Sequence, residues 1–266
     1  MIKIQNIHEF EEIWDIISEQ EYCTDITRYR SSNLYRGLPN ANFSLKTSLA
    51  RNCKDKGYAL EKSILRNFTK YASIEDSQLA SSVWRQLIIG QHHGLPTRLL
   101  DWTYSPMIAL HFATSGEEFT QMQDNDCVLW SIDINEINGL LPRHYINKLC
   151  EEGAYLFTVD MIDQIVQSLD KYDIDMGANS MILVEPPSID QRIINQYSYF
   201  SVTPKGMDSV EDFLASSTNN TVKYVIDKSL KWRIRDMLDQ LNVNERIVYP
   251  GLDGLSSWIK RHYYVK

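Results

Sequence analysis

The sequence predicts one α+β domain with a mixed or antiparallel sheet at its core and a helix-rich N-terminal half. Three observations carry that expectation. Apolar residues at helical spacing cluster early in the chain, and short β-branched and aromatic runs closed by turn residues concentrate in its middle and late parts. No low-complexity linker or shift in composition divides the 266 residues, so a single domain over 1–266 is expected, with roughly the first 30 residues as an N-terminal helical extension. Pro186-Pro187 is the one candidate boundary, and it reads as a strand end.

In order, residues 7–20 place Ile7, Phe10, Ile13, Trp14 and Ile17 at helical period and predict an amphipathic surface helix. Residues 33–37 (NLYRG) read as a strand stopped by Gly37 and Pro39, with Leu34 and Arg36 on one face and Tyr35 on the other. Residues 57–71 and 79–91 are helices, the second placing Trp84, Leu87, Ile88 and Gln91 on one buried side. Gly94 and Pro96 end it, because glycine tolerates left-handed dihedrals and the residue before proline avoids the helical well. Ser105-Pro106 opens the next helix with a hydroxyl cap and a first-turn proline. That helix (PMIALHFA) is apolar almost all round, which predicts burial. Strands are expected at 126–133, 181–185, 199–203, 222–226 and 245–250. Helices are expected at 159–170, after the Ser188–Gln191 capping box, at 228–240 and at 252–264.

Composition excludes several classes. Lys plus Arg is 27 against 35 acids, a formal charge of −8, so no basic field exists for non-specific nucleic-acid binding. No apolar run approaches the roughly 18 residues that span a membrane. Cys23, Cys53, Cys127 and Cys150 are scattered without paired spacing; with no secretory signal they read as reduced thiols of a cytoplasmic protein. The six histidines form neither HExxH nor finger spacing, which argues against a metal. There is no phosphate loop, no GxGxxG after a strand and no GxSxG elbow.

Between the two buried helices the chain reads as a polar loop that must be stitched down. Gln91, His92, Thr97 and Trp102 each carry a donor that needs a partner if buried, and Arg98 and Asp101, three apart, could pair locally. A satisfied structural network and the wall of a binding site are both consistent with this. The density of polar types beside a buried helix favours the site.

The segments YRG (35–37), QHHGLPTRLLDWT (91–103) and SPMIALHFA (105–113) resemble the FRG domain, named for its aromatic-Arg-Gly signature. RIINQYSYF (192–200) and NERIVYPGLDGLSSWI (244–259) resemble the same family in order and spacing, with Tyr35 in place of the phenylalanine of the name. Membership implies a bacterial or phage cytosolic protein, with an antitoxin or phage protein as partner. A second resemblance, to ADP-ribosyltransferases, implies an ADP-ribosyltransferase-like fold and NAD as the ligand. On that resemblance Arg36 holds NAD from a first strand, Trp102 or Tyr104 stacks on nicotinamide, and a late carboxylate steadies an oxocarbenium-like transition state. Glu185 and Glu245 are the carboxylates expected on strands or strand ends, and Glu245 is favoured as the catalytic acid with Arg36. Gln91, His92, Thr97, Arg98, Asp101, Trp102, Tyr104 and Gln196 complete the expected NAD site. The alternative is a module that senses a nucleotide, or binds a protein, without turnover.

Overall fold

The computed structural model describes residues 1–116 and 118–265. Nine strands are present among them: β1 (Lys3–Ile7), β2 (Glu21–Cys23), β3 (Arg28–Arg30), β4 (Asn33–Leu38), β5 (Leu99–Thr103), β6 (Cys127–Asp133), β7 (Leu183–Val184), β8 (Ser198–Val202) and β9 (Val222–Ile226). Seven of them form a mixed sheet in the order β1-β9-β6-β4-β5-β8-β7, antiparallel throughout except for the parallel β1–β9 edge. β2 and β3 make a separate hairpin. The helices up to the middle of the chain are α1 (Glu12–Ser18), α2 (Ser48–Cys53), α3 (Gly57–Ala72), α4 (Val83–His92), α5 (Pro106–Ala113), α6 (Ile134–Gly139) and α7 (Arg143–Glu152). They are followed by α8 (Val159–Ile165), α9 (Leu169–Met176), α10 (Gln191–Gln196), α11 (Val210–Ser217), α12 (Lys231–Gln240), α13 (Glu245–Val248) and α14 (Leu252–His262). The α+β class with a mixed sheet is as expected.

Four local expectations are corrected. The supposed polar loop between α4 and α5 contains β5, an interior strand paired with β8 along its whole length. The N-terminal region is not simply helical, because Lys3–Ile7 adds an edge strand to the main sheet and residues 21–30 form the hairpin. Residues 245–248, expected as a strand, are the short helix α13. The helix expected at 159–170 is broken into α8 and α9, with Thr158 and Ser168 capping each start through their hydroxyls.

Alternation along the strands divides the core. Leu34, Leu100, Trp102, Val128, Trp130 and Leu183 point to one face and share a single apolar core. The other face carries two cores. Leu99, Phe200, Val202 and Val184 pack under α4, α7, α8 and α9. Tyr35, Leu129, Tyr224 and Ile226 pack under α1, α5 and α12. Tyr35, Gly37, Asp101, Thr103 and Ser198 lie on the seam between these two cores.

α5 sets that seam. Ser105 caps it by accepting from the Ile108 amide, Pro106 occupies its first turn, and Ala109, Leu110 and Ala113 are fully buried. The helix lies directly on β4. A Cβ on Gly37 would sit 1.8 Å from the Ala109 carbonyl oxygen and 2.6 Å from the Ala113 nitrogen, both backbone atoms that cannot swing aside. The glycine of the YRG motif is therefore a packing requirement. Gly37→Ala is expected to cost on the order of 3 kcal/mol through forced overpacking, lowering Tm by roughly 6–12 °C. A thermal melt within about 2 °C of the parent would refute this close approach.

Candidate functional site

β4 and β5 are neighbours but share one residue pair, Tyr35 with Thr103. Beyond it the strands part, and a cleft of about 380 Å³ opens there. Its walls come from Tyr35, Arg36, Gly37 and Pro39 on the β4 side and Gln91, Asp101 and Thr103 on the β5 side. Phe112 and Ser115 at the end of α5, Arg192 and Gln196 of α10, and Ser198 of β8 close it.

Polar groups in this cleft form one chain of hydrogen bonds. Arg36 Nη1 donates to the main-chain oxygen of Asp101 at 2.6 Å and to its Oδ2 at 3.4 Å. Gln91 Nε2 donates to both carboxylate oxygens of Asp101, at 3.1 and 2.9 Å. Gln91 Oε1 in turn accepts from the Thr97 hydroxyl at 2.5 Å. Thr97 is held by the Ser48 hydroxyl, which accepts from its amide at 3.0 Å. The amide orientation of Gln91 is thus fixed from behind, and Asp101 is held by two donors, Arg36 Nη1 and Gln91 Nε2, while its side chain stays 56% exposed. Arg36 is less fully committed. Its side chain is 14% exposed, and its Nε is buried with no partner. Burial presses the Arg36 guanidinium below its ordinary value, offset in part by Asp101.

Arg192 was legible only as one face of a short helix shared with Gln196. Its guanidinium lies over the Tyr249 ring at 5.2 Å and has no ion pair among the described residues. Gln196 lines the cleft as expected, yet its amide is occupied in tethering α10 to α13 by donating to the Val248 oxygen at 3.1 Å. Its main-chain oxygen accepts from the Thr103 hydroxyl at 2.7 Å.

The remaining expected site residues have other duties. Arg98 does not pair with Asp101. It is buried just before β5 begins, where Nε donates to Glu61 of α3 at 2.8 Å and Nη1 to Asp173 of α9 at 2.6 Å. His92 faces Asp190, the cap of α10, so it braces the cleft wall from outside. Burial, outweighing Asp190, lowers its pKa. Trp102 borders the cleft, but its indole is buried in the opposite core with Nε1 donating to Ser201 at 3.0 Å, which leaves no ring face for a ligand. Tyr104 sits outside the lining, its hydroxyl donating to the Ser31 oxygen at 2.6 Å.

Glu245, the carboxylate expected as the catalytic acid, stands apart from this cleft. Its carboxylate accepts from Arg261 Nε at 2.7 Å and from Arg235 Nη2. Arg261 also donates to Asp239 at 2.8 and 2.6 Å, which locks α14 against α12. Arg235 reaches His111 in α5, donating to its Nδ1 at 3.0 Å and to its main-chain oxygen at 3.1 Å. Burial and the neighbouring Arg235 push His111 down to about 3. The Glu245 carboxyl is held at about 2: burial pulls it upward, but the Arg261 and Arg235 guanidiniums prevail.

This network makes stability depend on pH in two windows. For Glu245 the folded value lies below the ordinary 4.5, so its contribution is complete above that pH and is lost as pH falls toward about 2. For His111, a base, the unfolded chain takes up a proton below 6.5 that the folded chain refuses until about 3, so stability declines from 6.5 downward. His111→Asn keeps an acceptor for Arg235 and removes that second decline, leaving the share of His92. Urea unfolding at pH 7 and pH 5 should show a shallower loss in the variant; identical losses would contradict the assignment.

Residues 31–121 match the family model described as the FRG domain. No curated protein and no solved structure matches the chain. The matched span contains Arg36, Gly37, Gln91, Asp101 and all of α5, whereas Arg192, Gln196 and the Glu245 network lie beyond it. Residues 31–121 thus carry an FRG domain, and the motif for which that family is named supplies one wall of the cleft.

Proposed function

We propose that the cleft between β4 and β5 binds NAD or a closely related nucleotide, which the chain uses as an ADP-ribosyltransferase or NAD glycohydrolase. The observation that carries this reading is a guanidinium with an unused buried donor beside a braced, half-exposed carboxylate. Arg36 and Arg192 offer planar forks suited to a diphosphate or to ribose hydroxyls. The cleft volume of about 380 Å³ falls within the range of ligand pockets, large enough for the reacting half of a dinucleotide with the remainder in the open mouth. Phe112 supplies an apolar wall for an uncharged ring.

Asp101 takes the role expected of Glu245. Its negative charge, fixed by Gln91 and Arg36, steadies positive charge at the anomeric carbon as the carbon–nitrogen bond to nicotinamide breaks. The bonding electrons leave with nicotinamide, and water or an acceptor hydroxyl forms the new bond and gives up its proton. Such help operates mainly in the transition state, so it raises turnover more than affinity.

Mass spectrometry of nicotinamide released from NAD tests this. Asp101→Asn should lower release by two or more orders of magnitude, the scale of one lost electrostatic contact, with NAD binding still measurable. Glu245→Gln should lower stability instead, because it removes the charge shared by Arg235 and Arg261. No release and no binding by the parent protein would overturn the reading. One observation favours a second: both Asp101 oxygens already accept from Gln91, a closed network that suits a sensing module. NAD binding without nicotinamide release would select it.

A further inference from the structure

A larger hollow lies between α3, the start of α4 and the turn from α8 to α9. We propose that this groove docks an acidic amphipathic segment of a partner protein. Its volume is about 590 Å³, and its floor is apolar, built from Leu65, Val83 and Leu169. One wall is a row of cations, Lys62, Arg66 and Lys70, at i, i+4 and i+8 of α3 and so about 6 Å apart along the helix.

The row is not a product of composition, because the chain carries a formal charge of −8. Like charges at this spacing oppose helix formation, so the row is a cost to α3 unless something answers it. Lys62 alone of the three has a carboxylate partner among the described residues, Asp170. With both side chains about 70% exposed, that pair contributes little. The start of α9, capped by Ser168, borders the groove and adds the positive end of a helix to the same field. Apolar surface continues past the end of the row, where Tyr71 and Ile74 are 73% and 90% exposed.

The shape of this field selects the occupant. A small anion has no focus here, since the three cations are spread over two helical turns instead of converging. A nucleic acid would meet an aliphatic floor with no aromatic side chain in the lining on which a base stacks. A helix or strand with an apolar stripe and carboxylates one turn apart satisfies both the floor and the wall.

The test is to pan a displayed library of random 16-residue peptides against the full chain. Enriched sequences should carry Asp or Glu together with Leu, Ile or Phe at spacings of three and four. Their binding, read by fluorescence anisotropy, should weaken at least about tenfold in the double variant Arg66→Glu/Lys70→Glu and fall as salt is raised. Both positions are exposed, and circular dichroism checks that the variant is folded. The proposal is overturned if no sequence is enriched, if enriched sequences are neutral or basic, or if they bind the variant as tightly as the parent. Sedimentation showing self-association that the double variant abolishes would also overturn it, by assigning the groove to a second copy of the chain.

Discussion

The backbone of α5 rests on the backbone of β4, and the rest of the structure is arranged around that approach. Only glycine at position 37 permits it, since a methyl group there would overlap the Ala109 carbonyl. With α5 seated so deeply, Tyr35 and Ala109 share one core, and the helix covers the β4 half of the sheet. The β5 half is covered by different helices, α4 and α7 to α9. Between the two groups the seam stays open, edged by Gln91 of α4 and Phe112 of α5. β4 and β5 part after Tyr35–Thr103, and Arg36 bridges the gap to the Asp101 carbonyl instead of a further ladder bond. The three letters of the motif thus have separate duties. The tyrosine packs, the arginine spans the opening, and the glycine admits the helix that makes an opening necessary.

Charge is distributed in the same spirit. Two arginine centres are buried and saturated: Arg98 between Glu61 and Asp173, and Arg261 between Glu245 and Asp239. Breaking such a pair strands a charge in the interior, a loss on the order of 3–5 kcal/mol, which makes these centres scaffold. Arg98 joins α3 and α9 to β5; Arg261 joins α14 to α12 and α13. Arg36 differs because one of its donors is buried and unused, and Asp101 differs because it stays half in solvent. Among the polar residues of these motif segments, incomplete satisfaction is what distinguishes a site from a strut.

Much of this was legible in the sequence, for identifiable reasons. The helix after Ser105-Pro106 announces itself by cap, proline and apolar run, and the convergence of Arg36, Gln91 and Asp101 follows from the motifs. β5 was hidden because Asp101 interrupts its alternation with a residue that faces the cleft, so LLDWT imitates a loop. β1 was hidden for another reason: its side chains are exposed except Ile7, and an edge strand with such a pattern has no apolar signature. ERIVY has the composition of a strand. It turns as a helix because Gly254 of α14 lies against the Tyr249 and Glu245 carbonyls, a contact from outside the segment that propensity cannot register. The surroundings of Glu245 were hidden for a similar reason, since they are set by Arg235 and Arg261, 10 and 16 residues away in sequence. Arg98 and Asp101, three apart, could be paired on paper. Arg98 instead precedes β5 and is claimed by Glu61 and Asp173, while Asp101 lies within the strand and is held by Arg36 and Gln91.

The central claim is that the gap spanned by Arg36 is a binding site for an anionic nucleotide. Isothermal titration of NAD into the folded Arg36→Met variant and its parent tests it most directly. The account predicts binding to the parent with loss of roughly 1.5–3 kcal/mol in the variant, the worth of hydrogen bonds to a charged partner, at little change in melting temperature. Equal affinity in the two proteins would contradict it.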